Sequence, residues 1–165
     1  MCLRTSTAFL LSLLVFCNLS SAGVIPDTQR DKLVVRVLIN FWGHAKLANG
    51  QVVHPLSESD RKTIPISRMA ANRVIDAGEI SALGQRCRLD WRAHYYSIMS
   101  AARKKGMSET QVAFISFLHG AAQGKVSSAM SMSMSRSASK SCSEEQRTRV
   151  EGMLKQSKEL GLEGF

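Results

Sequence analysis

Ser108-Glu109-Thr110-Gln111 runs straight into Val112-Ala113-Phe114-Ile115-Ser116-Phe117-Leu118-His119-Gly120-Ala121-Ala122-Gln123, and this stretch constrains the fold more than any other. A serine followed three residues later by glutamine forms a capping box, in which each side chain satisfies the other residue's backbone N–H. Behind it, apolar residues cover nearly the whole helical circumference and leave a narrow polar edge at Glu109, Ser116 and Gln123. A helix that apolar has no solvated side and must be surrounded by other elements. The spacing predicts an all-α bundle with this segment, ending near Gln123, as its central helix. Gly120 and Gly124 read as its fraying end or as a close helix contact.

Other segments supply the surrounding helices. From Arg30 to Leu47 the polar residues Lys32, Arg36, Asn40 and His44 recur every four positions, which places them on one helical face. Val34, Val35, Val37 and Ile39 pull toward strand, but the stripe argues for helix, capped by Asp27 or Thr28 and largely buried elsewhere. Residues 48–66, with Asn49-Gly50, Pro55 and Pro65, read as a surface loop with one short helical turn. A second helix is expected over Ser67–Gln85, with Met69, Ala70, Val74, Ala77, Ile80 and Leu83 inward. Gly78 weakens it by about 1 kcal/mol relative to alanine. Asp90 caps a third over Trp91–Lys105, with Trp91, Tyr95, Ile98, Met99 and Ala102 on one face. Its last turn carries Arg103, Lys104 and Lys105, which suit the negative end of the helix dipole.

Residues 125–141 hold eight serines and three methionines in seventeen positions and read as a flexible low-complexity segment. Ser143 and Gln146 form another capping box, opening a last helix in 142–160 with a thin stripe of Val150, Met153, Leu154 and Leu160. The expectation is a small bundle of four to five helices in one domain, residues 23–165.

The first 22 residues read as a signal peptide. Arg4 makes a positive start, Ala8–Cys17 an apolar core, and Ser20 and Ala22 are the small residues at −3 and −1 of a cleavage site before Gly23. A ten-residue core is half of the ~20 residues a spanning helix needs, so no membrane span is expected after cleavage. Removal of this segment takes Cys2 and Cys17 with it and leaves Cys87 and Cys142. In an oxidising compartment two cysteines pair. The bridge closes a loop of 55 residues, worth about 4 kcal/mol in the chain-entropy account. Loss of Arg4 moves the net charge from +9 to +8, which favours anionic partners. After residue 22 there is no Asn-x-Ser/Thr acceptor, which leans toward a bacterial periplasm.

Three chemistries compete. GxSxG, P-loop, GxGxxG and HExxH patterns are absent, so the leading expectation is a non-enzymatic periplasmic or extracellular protein, without cofactor, that binds a protein or an anionic envelope component. Arg86, Arg88, Arg92 and Arg103 surround Trp91, Tyr95 and Tyr96. Basic residues among aromatics stack on glycans or single strands, and export argues against nucleic acid. Alternatively, Met130, Met132 and Met134, on one side of an extended chain and joined by His119, offer soft ligands to copper as Cu(I). A third expectation is a small envelope hydrolase using Asp76, Glu79 and Asp90, although Asp76 and Glu79 read more simply as a solvated face. None of His44, His54, His94 and His119 is spaced from another as a metal ligand pair, and each reads as a satisfied boundary histidine.

Overall fold

The computed structural model describes residues 23–134 and 142–161. They form five helices: α1 (Asp27–Phe41), α2 (Arg68–Arg86), α3 (Trp91–Lys104), α4 (Glu109–Met134) and α5 (Glu144–Leu160). One 3-10 turn, Asp60–Lys62, interrupts the loop between α1 and α2. No β-strand is found among the described residues; an isolated antiparallel bridge joins Lys46 and Val52. The domain is an all-α bundle.

The capping boxes form as their spacing requires. The Ser108 N–H donates to Gln111 Oε1 at 2.9 Å and the Gln111 N–H to Ser108 Oγ at 3.3 Å. Ser143 and Gln146 repeat the arrangement at the head of α5. Asp90 accepts the Ala93 N–H at 3.1 Å and starts α3. Ser67 accepts the Ala70 N–H at 3.1 Å and starts α2.

Helix α4 is the centre of the core. Phe114, Ile115, Leu118 and Ala122 are fully buried, and Phe114 meets Phe41 of α1 edge to face at 5.1 Å. The helix continues well past Gln123 and takes in residues 125–134 of the low-complexity segment; residues 135–141 lie outside the described residues. Leu118, Ala122, Val126 and Met130 recur at four-residue steps, and Val126 is buried while Met130 packs against the core. That inward row holds the helix together where serine-rich composition suggested otherwise.

Gly120 and Gly124 do not mark a contact, because a Cβ at either meets nothing within 4 Å. The close approach lies at Gly78 of α2. A Cβ there would sit 2.6 Å from the His119 carbonyl oxygen and 2.8 Å from Ala122 Cβ. The glycine that weakens α2 in isolation is what lets α2 lie directly on α4.

Two helices depart from expectation in detail. α1 stops at Phe41, because Gly43 turns the chain and donates to Val53 O at 2.9 Å, while the Val53 N–H returns to Ala45 O. His44 therefore leaves the stripe. Val35 and Ile39 are exposed, so α1 is buried on one side only. No side chain caps it; Pro26 stands at its N-cap. In α2, Met69 faces solvent, and Ala71, Ile75, Ser81 and Ala82 complete the inner face.

α5 carries one buried apolar residue, Val150. Cys142, just before it, is bonded to Cys87 at the end of α2, with Cα atoms 5.2 Å apart. The crosslink and the Arg147 side chain, which donates to Cys87 O at 3.3 Å, hold this helix against the bundle.

Candidate functional site

Helices α2, α3, α4 and α5 each contribute one polar side chain to a single row, buried at its centre and part-buried at its α5 end. Ser81 of α2 sits between two imidazoles: its Oγ is 2.9 Å from His94 Nδ1 and 3.0 Å from His119 Nε2. His94 Nε2 then lies 2.8 Å from Ser157 Oγ of α5. Ser81, His94 and His119 are all at most 3% exposed.

Burial fixes the charge state of the row. Desolvation pushes His94 down from 6.5 to about 4, with the Lys158 ammonium adding to the effect. Desolvation pushes His119 down to about 4 as well, with His94 adding to it. Both rings are neutral at pH 7, so each has one N–H and one bare nitrogen. The Ser81 hydroxyl must donate to one ring and accept from the other. Two hydrogen-bond directions satisfy the row. In one it runs Ser157 to His94 to Ser81 to His119; in the other every bond is reversed. The arrangement can pass a proton along its length by switching between them. Ser81 itself, with no exposed surface, is not a nucleophile available to a substrate.

His119 also borders the surface relief above the row. Its ring packs edge-on against Tyr95 at 5.1 Å, and the Tyr95 hydroxyl is 2.7 Å from Ser116 Oγ. A cleft of about 290 Å³ is lined by Trp91, Arg92, Tyr95, Tyr96, His119 and Gln123, among others. A second hollow of about 230 Å³ adds Lys46, Arg103 and Glu109, and shares Tyr95 and Tyr96 with the first. Tyr96 stands at the junction, 64% exposed and 5.3 Å from Tyr95. The Arg92 guanidinium lies 5.4 Å above the Trp91 ring, a cation–π contact that holds it over the cleft wall. Arg103 is paired with Glu109 at 3.2 Å, so its charge is partly spent.

The expected metal ligands do not converge. Met130 is half-buried against the core and accepts from Arg86 at 3.8 Å, whereas Met132 is 69% exposed. Two positions along a helix are about 200° apart, which sends these thioethers to different faces. His119 lies about 16 Å along the axis from Met130 by helical rise, and its Nε2 is engaged by Ser81. The side chain of Met134 lies outside the described residues. Alternation converges on one side in an extended chain, and the segment through Met134 is helical instead. No group of three or more histidine, cysteine or acidic side chains fit to hold a metal occurs among the described residues.

The acidic candidates divide. Asp76 and Glu79 come together around Arg30 of α1, at 2.7 and 3.4 Å from its Nη2. Glu79 is 4% exposed, which corrects the expectation of a solvated face. Asp90 does not join them; it caps α3. His119 and His94 correct the boundary-histidine reading, since both are fully enclosed. Sequence spacing missed the row because its members lie on different helices. The available sign was Ser81 itself, a serine four residues after Ala77 on the inner face of α2.

No family model, curated protein or solved structure matches the chain.

Proposed function

We propose that this is an exported, non-enzymatic binding protein of the periplasm whose α3–α4 face takes an anionic envelope glycan. One observation carries the reading: Tyr96 presents an open ring where the two hollows meet, with Arg92 and Lys46 among the residues that line them. Sugar rings stack on such a face, and a carboxylate or phosphate on the glycan meets the cations. Support for a binding role also comes from the row beneath, in which Ser81 and both histidines are bonded to one another and closed off from solvent. The signal-like first 22 residues and the net charge of +9 fit an envelope partner of negative charge.

Calorimetric titration of the purified protein with polygalacturonate, and with neutral dextran as control, tests this. Polygalacturonate binding should weaken as salt rises. Tyr96→Ala should weaken it about tenfold, equivalent to about 1.4 kcal/mol, within the range for loss of one stacked ring. Arg92→Ala should flatten the salt dependence. Equal affinity for dextran, or an unchanged affinity in Tyr96→Ala, would sink the proposal.

A further inference from the structure

The Gly23-Val24-Ile25 segment lies against the buried carboxylate of Glu79. The Val24 N–H donates to Glu79 Oε2 and the Ile25 N–H to Oε1, each at 2.8 Å. Arg30, 7% exposed, closes the other side: its Nε donates to Ile25 O at 3.1 Å and its Nη1 to Asn72 O at 3.4 Å. Arg30 therefore faces two carboxylates: Glu79, which is enclosed with it, and Asp76, whose side chain is 40% exposed. Asp27 is 3.6 Å from Arg30, but its side chain is fully exposed and adds no buried charge. Burial pushes the Glu79 carboxyl up, an effect opposed by the two backbone donors and Arg30 and reinforced by Asp76. Counting the part-exposed Asp76, the cluster has one more carboxylate than guanidinium.

Gly23 stands against both Glu79 and the Arg30 guanidinium. A Cβ on it would overlap Arg30 Nη2 and lie 2.9 Å from Glu79 Oε2. The glycine nitrogen is about 2.5 Å from that Cβ position by covalent geometry, hence within about 5.5 Å of the carboxylate oxygen and, on the same reckoning, within about 5 Å of the Arg30 guanidinium, whose charge Glu79 and Asp76 must offset. Opposite charges act strongly over ~4–6 Å in such sites. The same glycine follows Ala22, the −1 residue of the cleavage pattern.

We infer that hydrolysis of the Ala22–Gly23 bond creates a new α-ammonium at Gly23 that pairs with Asp76 and Glu79 and locks the start of the mature chain onto α2. The reaction is a signal-peptidase hydrolysis: water adds across the peptide, its C–N bond breaks, Ala22 keeps the oxygen as a carboxylate, and the Gly23 amine takes up a proton. Before the cut, the same nitrogen is a neutral amide and supplies no charge. The requirement for glycine follows from space, since any side chain would displace Arg30 or Glu79. This inference rests on the export step of the proposed function and is independent of what the α3–α4 cleft binds.

The test is expression of the full chain in a bacterial host and isolation from the periplasm. Intact mass should show loss of the first 22 residues. The α-amine should titrate above its ordinary range of about 8. Insertion of one glycine between Ala22 and Gly23 leaves every side chain in place and moves the ammonium away. It should lower the melting temperature at pH 7 by about 4 °C and return the amine to its ordinary range. Glu79→Gln should also return the amine to its ordinary range, and adding the insertion to it should cost nothing further. If Glu79→Gln fails to fold, the glycine insertion decides. A product beginning at any other residue, an amine titrating normally in the wild type, or an unchanged melting temperature after insertion overturns the inference. A chain left uncut overturns it together with export. A product with the expected Gly23 terminus that ignores polygalacturonate counts against the cleft alone.

Discussion

Acidification from pH 8 to pH 5 should remove about 4 kcal/mol of stability, and the Ser81 row is the reason. An unfolded histidine takes up a proton near pH 6.5, whereas His94 and His119 in the folded chain do so only near pH 4. The folded state thus binds fewer protons throughout this window. Stability is fully present above pH 6.5 and is lost as pH falls toward 4. At pH 5 the linkage amounts to about 2 kcal/mol for each ring, at 1.36 kcal/mol per pKa unit. Both rings count, because each is nearly fully buried and His94 already opposes protonation of His119. Glu79 acts in the opposite sense. Its raised pKa contributes stability that is fully present below 4.5 and lost as pH rises through the folded value, so its effect runs against that of the histidines. Against a domain stability of about 5–15 kcal/mol, a loss of 4 is large. Urea titrations followed by circular dichroism at half-unit pH steps, with the disulfide intact, measure it. The midpoint should fall by about 2 M urea between pH 8 and pH 5. His119→Gln keeps a hydrogen-bonding partner beside Ser81 and removes one titrating ring; it should halve the pH dependence whatever it does to stability at pH 8. A midpoint that stays flat between pH 7 and pH 5, or a slope unchanged in His119→Gln, refutes the reasoning.

Other perturbations isolate single features. Gly78→Ala gains helix propensity but drives a methyl into the His119 carbonyl and Ala122, so it should destabilise by about 1–3 kcal/mol in the same urea assay. Ser81→Ala leaves a ring nitrogen on each histidine without its partner and should cost about 1–3 kcal/mol. Reducing Cys87–Cys142, or changing both to serine, should lower stability by about 2–4 kcal/mol, with the largest loss of hydrogen-exchange protection in α5, which has one buried apolar residue of its own.

Local chemistry made α3 and α5 readable, because Asp90, Ser143 and Gln146 act within a few residues of where they stand. The disulfide was readable by elimination, once two of four cysteines fell in the signal-like segment. The end of α4 was not, because serine-rich composition masked the four-step row Leu118, Ala122, Val126 and Met130. α1 was overextended since the stripe at 32, 36, 40 and 44 runs on by chance past Gly43, where the backbone turns. Arg30 with Glu79, and Ser81 with His94 and His119, are pairings over 49, 13 and 38 residues. Periodicity along one helix carries no information about which partner a buried polar group meets on another. What it does show is a polar residue on an inner face, and Ser81 was one.

The Cys87–Cys142 bond also changes what a cut in the backbone means. Any single peptide bond broken between residues 87 and 142 leaves two pieces that remain covalently joined through sulfur. That interval includes α3, all of α4 and residues 135–141. A nicked molecule would run as one species on a gel without reductant and as two with it. It would keep α5, and Ser157 with it, attached to the helix that carries Ser81. Covalent continuity in this protein is a ring with two tails, and only cuts in the tails shed mass.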